Sequence, residues 1–151
     1  MGLDMYLNKK TYVKQWDHQS PEEKYEVVVT KGGKPVDGIK ASRVKYIEEE
    51  VGYWRKANQI HRWFVENIQD GNDNCGDYYV ERGELKELLE LCKKVQADHS
   101  LAEELLPSAS GFFFGGTDYD EWYYNDIDNT ISILEDALED ESGEYYYTSS
   151  W

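Results

Sequence analysis

The chain of 151 residues carries 16 Lys and Arg against 31 Asp and Glu, a formal net charge of −15. This length predicts a single domain over residues 1–151, with a core large enough to need no disulfide or metal. Its two cysteines, Cys75 and Cys92, lie far apart and in no paired motif, which disfavours a secreted disulfide framework and favours a reduced, cytoplasmic setting. No apolar run predicts a membrane span, and "MGLDMYLNKK" lacks the apolar region of a signal peptide.

The negative charge is concentrated in the last third of the chain. Residues 95–151 hold 14 acidic residues and no Lys or Arg, whereas residues 1–94 hold all 16 basic and 17 acidic residues. Such a segment repels nucleic acid and attracts a basic protein, or a site that normally holds nucleic acid. We therefore expect a protein partner and no direct nucleic-acid binding. The alternative is that the acidity only keeps a small protein in solution.

Four stretches predict strands. "GLDMYL" alternates apolar and polar residues with a period of two, and "YEVVVT" is rich in β-branched residues. "YYV" and the aromatic "EYYYTSSW" predict two more strands, and "GFFFGG" predicts a strand or a buried turn. We expect the first and last of these strands to be neighbours in one sheet.

Three main helices are predicted from apolar residues that recur every three or four positions. The first spans residues 44–68 with Ser42 as its cap, the second is "GELKELLELCKKV", and the third is "EWYYNDIDNTISILEDALED" with Thr117 or Asp118 as cap. "SLAEELL" adds a short helical piece. The predicted inward residues are Val44, Ile47, Val51, Trp54, Asn58, His61, Val65 and Ile68 in the first helix; Leu85, Leu88, Leu89, Cys92 and Val95 in the second; and Tyr123, Ile127, Thr130, Leu134 and Leu138 in the third.

Helices and strands are intermixed, and no strand–helix–strand pattern repeats. This order predicts an α+β domain in which the three main helices form one layer on a small, mainly antiparallel sheet.

Asn58 and His61 are unusual because they fall in the middle of the apolar stripe of the first predicted helix. A buried polar group without a partner costs about 1–3 kcal/mol, so each side chain needs one. In one interpretation both bond to protein groups and fix the helix. In the other they form a ligand pocket with Trp54, Arg55 and Arg62, in which the two arginines attract a nucleotide or another anionic metabolite. The arginines have a structural alternative, which is to pair with the acidic last third.

A second set of candidates suits a protein partner. Trp63 falls opposite the stripe, so it is either covered by further protein or exposed as an anchor of the kind that dominates interfaces. "TDYDEW" places Asp118, Asp120, Glu121 and Trp122 together. Its carboxylates suit a cation or acid–base chemistry, or they stabilise the N-terminus of the third helix through its dipole.

The loop from Asp70 to Glu81 partly matches a calcium-binding EF-hand, with Asp70, Asn72 and Asn74 at ligand positions. Cys75 stands where that motif requires glycine, which argues against calcium. The three histidines share no metal-ligand spacing with the cysteines, and no nucleophile motif, phosphate loop or dinucleotide fingerprint occurs. We therefore predict no cofactor, no metal and no catalytic residue.

The stretches "GLDMYL", "YWRKANQIHRWFVEN", "GFFFGGTDYDEWY" and "YYYTSSW" together resemble a group of small uncharacterised phage and prophage proteins. The resemblance spans most of the chain and implies a viral or mobile-element origin, without an assigned reaction. Phage accessory proteins of this size often inhibit or redirect a host factor, including defence systems. From the acidic last third and the lack of a catalytic constellation we expect a non-enzymatic protein that binds a host factor through its acidic, aromatic C-terminal third, as an inhibitor or a nucleic-acid mimic. The alternative is a small-ligand module or enzyme built around the pocket of Trp54, Arg55, Asn58, His61 and Arg62.

Overall fold

The computed structural model describes residues 2–111 and 113–151 and forms an α+β domain, which confirms the predicted fold class. Its main sheet is antiparallel, with the strand order β4-β1-β6-β5. The strands are β1 (Asp4–Tyr12), β2 (Thr30–Lys31), β3 (Lys34–Pro35), β4 (Tyr46–Arg55), β5 (Tyr78–Val80) and β6 (Glu144–Ser150), of which β2 and β3 form a separate hairpin. The helices are α1 (Asn58–Asn67), α2 (Arg82–Ala97), α3 (Ala102–Leu105) and α4 (Glu121–Glu139).

The predicted pairing of the two terminal strands is confirmed. Strand β1 lies between β4 and β6, and Leu7 stands opposite Gly52 on one side and Tyr147 on the other. Alternate residues of β1 are buried, as the period of two in "GLDMYL" predicts. Gly52 is required here because a side-chain Cβ would come within 2.6 Å of Ile133 on α4.

The second and third helices also form as predicted, as α2 and α4. All five predicted inward residues of α2 are buried, and so are those of α4 except the half-buried Leu138. Neither predicted cap of α4 is correct, because the Asp120 carboxylate accepts the backbone N–H of Tyr123 and caps the helix itself.

The prediction of one helix over residues 44–68 is wrong in its first half. Residues 46–55 form strand β4, which pairs with β1 over nine residue pairs, and only 58–67 are helical. The β-branched and aromatic side chains of this segment suit a strand, and a bulge between Leu7 and Asn8 shifts the register. The spacing of the apolar residues in this segment did not by itself distinguish a helix from a strand. Ser42, its predicted cap, lies instead in a short 3-10 helix, Ala41–Arg43.

One other strand prediction differs from the structure, since "YEVVVT" contributes only Thr30 to a strand. For "GFFFGG" a strand or a buried turn was predicted. Phe112 lies outside the described residues, the described positions form no strand, and Phe113 lies in a half-buried turn.

Residues 14–45 form an excursion between β1 and β4, which we call the arm. None of its residues is fully buried.

The two faces of the main sheet differ in their cover. The helices pack on one face, where Trp54, Phe64 and Tyr147 contribute to the core and the last two stack at 3.8 Å between ring centroids. The other face, which we call the open face, carries no helix. Its tyrosines are half-buried or exposed: Tyr6, Tyr12, Tyr46, Tyr53, Tyr79 and Tyr146.

Among helices in the described residues, none has the length and apolar character needed to cross a bilayer.

Candidate functional site

His61 lies in the core and bonds to protein groups through both ring nitrogens. It is 1 % exposed, its Nδ1 lies 2.6 Å from Tyr147 Oη, and its Nε2 lies 3.0 Å from Asp73 Oδ1. An ionised carboxylate only accepts, so Nε2–H donates to Asp73 and the tyrosine hydroxyl donates to Nδ1. Burial lowers the pKa of His61, and the Asp73 carboxylate offsets part of that effect. The interpretation in which His61 fixes the fold therefore agrees with the structure.

We expect His61→Leu to lower the free energy of unfolding by about 1–3 kcal/mol, although leucine suits an apolar site, because Tyr147 Oη loses its buried partner. The unfolded histidine binds a proton more readily than the folded one, so the stability linked to His61 falls as the pH drops below about 6.5. The leucine variant should lose this part of the pH dependence. Urea unfolding at several pH values measures both effects.

The matched control is His18→Leu, which changes an exposed histidine of the arm. It should alter the unfolding free energy by no more than about 0.5 kcal/mol. A His61→Leu protein that is as stable as the wild type would show that the bond to Tyr147 contributes nothing.

Asn58 anchors a loop at the start of α1. Its Nδ2 donates to the carbonyl oxygens of Phe114 at 3.0 Å and Gly116 at 2.8 Å, and its Oδ1 accepts the Ala109 N–H at 3.0 Å. Both amide hydrogens are thus used on a loop that lies more than 50 residues away in sequence. This side chain holds Ala109, Phe114 and Gly116 of that loop against α1.

That loop closes one side of a cleft of about 540 Å³. The opposite side is the first half of α4, and the end of β4 and the start of α1 complete it. The lining residues are Arg55, Lys56, Asn58, Gln59, Ser108, Gly115, Gly116, Asp118, Asp120, Trp122, Tyr123, Asn125, Asp126 and Asn129. The cleft therefore unites Arg55 and Asn58 from the predicted ligand set with Asp118, Asp120 and Trp122 from the predicted partner set.

The Asp126 carboxyl is the acid of the cleft whose pKa is shifted toward neutral pH. Burial and the nearby charge of Asp120 raise its pKa to about 6, and a hydrogen bond with Gln59 offsets part of this rise. A carboxyl group in this state changes its charge near neutral pH. Asp126 can hold a cation when ionised or exchange a proton.

The backbone at the cleft is strained at one position. Lys56 has a φ of 57°, a left-handed conformation that residues other than glycine seldom adopt. Gly115 packs against it with a φ of 83°, and a Cβ at this glycine would lie 3.2 Å from the Lys56 Cβ. Strain of this kind is common at binding sites, where surrounding structure holds it in place.

The predicted partner residues fall in different places. Trp63 is only 7 % exposed, so the first of its two alternatives holds: neighbouring protein covers it, and it is not an exposed anchor. Trp122 is 76 % exposed at the rim of the cleft. Asp118 and Asp120 line the cleft, and Glu121 is exposed beside them in the first turn of α4.

The predicted ligand residues do not converge on one cavity. Trp54 is buried and donates through Nε1 to Thr130 Oγ1 at 2.8 Å. Arg55 pairs with Asp4 at 3.3 Å. Arg62 pairs with Glu66 at 2.8 Å and donates to the Ser108 carbonyl. Among the residues that the structure describes, neither arginine forms an ion pair with the acidic last third, contrary to the structural alternative considered for them.

The residues of the EF-hand-like loop are engaged in other contacts. Asp73 bonds to His61 and also accepts the Trp151 Nε1–H at 3.0 Å. Asn74 accepts from the Gly76 backbone and the Tyr78 hydroxyl. Strand β5 stands where an EF-hand would begin its second helix. In residues 2–111 and 113–151, no group of three or more His, Cys, Asp or Glu side chains is arranged to hold a metal ion.

Sequence reasoning missed Lys56, Asp126 and Asn129 as site residues. Asp126 and Asn129 flank the inward-facing positions Ile127 and Thr130 of α4, so their spacing is that of an ordinary helix surface. The cleft exists because a distant loop folds over this surface, and no local sequence signal indicates that contact.

Comparison of the chain with models of protein families, with curated proteins and with solved structures gives no match.

Proposed function

We propose that this chain is a non-enzymatic binding protein that engages a basic segment of another protein through the cleft at the start of α4 and the acidic surface around it. The partner segment is a stretch of polypeptide rich in Lys and Arg. Trp122 would be its apolar anchor, and Asp120 and Asp126 would receive a cationic side chain.

The observation that carries this proposal is the unpaired charge of the last third. Of its 14 acidic residues, only Glu135 and Asp140 form an ion pair within the described part of the chain, with Lys93 at 3.5 Å and Lys9 at 2.6 Å. Charge that the fold itself does not neutralise is available to attract a partner of opposite sign and to raise its association rate.

The cleft suits a peptide better than a free cation. The Asp126 carboxyl lies on the α4 side of the cleft, and Arg55 and Lys56, where β4 ends, also line it and carry hydrogen-bond donors. Peptide carbonyl oxygens accept from such donors while a neighbouring Lys or Arg side chain reaches the carboxylates. An exposed tryptophan beside such a site is typical of an interface hot spot, and its ring can also stack on a guanidinium group.

The proposal includes the phage-type origin that the resemblance implies, with a host protein as the partner. A basic segment of any protein with the right spacing would bind by the same contacts.

The expected result for Asp126→Asn is a loss of affinity for a labelled Lys- and Arg-rich peptide of at least tenfold at pH 7, measured by fluorescence anisotropy. The matched control is Asp136→Asn, which removes the same charge from an exposed position of the same helix outside the cleft. It should change the affinity by less than about threefold, since exposed charges are screened by salt. Equal effects of the two variants would mean that the cleft is not the site.

The same titration should depend on pH. The Asp126 pKa is raised to about 6, so lowering the pH from 7 to 5 protonates this carboxyl and weakens binding of the peptide, whose Lys and Arg side chains stay charged. The Asp126→Asn protein should show little change over this window. A wild-type affinity that rises or stays constant on acidification would contradict the proposed role of Asp126.

A second candidate ligand for the cleft is a small cation. The volume of about 540 Å³ is within the usual range of small-molecule sites, and the carboxylates of Asp118, Asp120 and Asp126 line the cleft. This candidate replaces the anionic metabolite that the sequence analysis placed around His61, because the His61 side chain is buried. Binding at a hundredfold excess over Kd adds about 2.7 kcal/mol of stability, so a thermal-shift screen with amines and guanidines would detect it.

A further inference from the structure

The arm contains a strand-forming segment that has no strand partner. "YEVVVT" is the most β-branched stretch of the arm, yet residues 26–29 belong to no strand of the described structure. Val28 is 77 % exposed. Val27 and Val29 are half-buried, so Val28 is the apolar side chain that this segment offers to another chain.

The open face presents a complementary surface. Antiparallel sheets commonly show a polar side to solvent, but this face is rich in tyrosine, a residue enriched at protein interfaces. It already holds one cation over an aromatic ring, since Lys10 Nζ lies 4.2 Å from the ring centroid of Tyr146. The acids Glu48, Glu50 and Glu144 lie between the tyrosines.

The two surfaces carry opposite charge. The arm holds seven Lys and Arg against five Asp and Glu, whereas the open face holds Lys10 and Arg55 against Asp4, Glu48, Glu50 and Glu144. The tip of the β2–β3 hairpin presents Lys31 and Lys34 on either side of two glycines with φ of 61° and 80°, a turn that brings the two lysines together.

The area available also favours both surfaces acting together. At standard strand spacings, four strands of about seven residues present a face on the order of 450 Å². A stable interface covers about 800 Å² per partner, so the open face is too small alone. The arm supplies the remaining area if each of two copies contributes both its arm and its face.

From this complementarity we propose that the chain forms a symmetric dimer in which the arm of each copy lies on the open face of the other. The Lys31 and Lys34 side chains of one copy meet Glu48 and Glu50 of its partner, and Val28 packs among the tyrosines. This contact uses the side of the sheet opposite the helices and does not depend on the function proposed for the cleft.

A charge exchange between two variants tests the dimer. One variant carries Lys31→Glu and Lys34→Glu, and the other carries Glu48→Lys and Glu50→Lys. Light scattering after gel filtration should give the wild type a mass approaching twice 17.7 kDa as concentration rises through the micromolar range. Each variant alone should dimerise at least tenfold more weakly. An equimolar mixture should regain the dimer, because both arm-to-face contacts are then between opposite charges.

The matched control is Lys86→Glu with Lys94→Glu, which makes the same charge change on exposed positions of α2 and should leave the dimer intact. A wild type that is monomeric at every concentration overturns the proposal. So does a mixture that regains nothing, because contacts between an arm and the face of its own chain cannot be restored by mixing. A dimer that survives in both variants also overturns it, since the interface would lie elsewhere.

Discussion

Replacing Asn58 with alanine is expected to lower the free energy of unfolding by about 2–4 kcal/mol. The side chain makes three hydrogen bonds to the backbone of Ala109, Phe114 and Gly116, and an intramolecular hydrogen bond contributes about 0.5–1.5 kcal/mol. Two carbonyl groups and one N–H lose a partner at once, so the effect lies at the upper end for a polar substitution. Urea unfolding followed by tryptophan fluorescence measures it.

The control for this prediction is Asn125→Ala, an exposed asparagine on the α4 side of the same cleft. Its stability should stay within about 0.5 kcal/mol of the wild type. Asn58→Ala should also weaken peptide binding, because the loop wall of the cleft is released. An Asn58→Ala protein with an unchanged unfolding midpoint would mean that the loop is held by other contacts.

Trp122→Ala is expected to reduce the affinity for the basic peptide by a factor of about 30 or more, the effect of losing roughly 2 kcal/mol at an interface hot spot. Its side chain is 76 % exposed, so the free energy of unfolding should hardly change. Fluorescence anisotropy and urea unfolding on the same protein separate binding from folding.

Trp16→Ala is the matched control, since it removes another exposed tryptophan, from the arm. Peptide affinity should be unchanged in this variant. Equal losses in the two variants would mean that the peptide binds exposed aromatic groups without preference for the cleft.

Helices α2 and α4 and strands β1 and β6 were predictable because their patterns are local. In α2 every predicted inward residue is buried, since a stripe of leucines at helical spacing has no comparable fit to a strand. Strand β4 was not predictable in the same way. Its apolar residues fit a helical stripe that continues into α1. The segment becomes a strand because it pairs with β1, which lies about 40 residues earlier in the chain.

The polar residues of α1 show a second limit. That Asn58 and His61 need partners followed from their position in an apolar stripe, and the structure supplies those partners. Which groups they are could not be read locally, because Phe114 and Tyr147 lie 56 and 86 residues away. The cleft is closed by the same distant loop. From the sequence, Arg55 and Asn58 were therefore placed in a ligand site, and Asp118, Asp120 and Trp122 in a separate partner site.

The most direct test of the proposed function is an amide and indole NMR titration of the ¹⁵N-labelled protein with the Lys- and Arg-rich peptide. We expect saturable shifts confined to the Trp122 indole, the side-chain amides of Asn125 and Asn129, and the backbone of residues 115–126, all at or beside the cleft. Shifts that spread evenly over the acidic surface of α4, with the Trp122 indole unmoved, would contradict binding in the cleft.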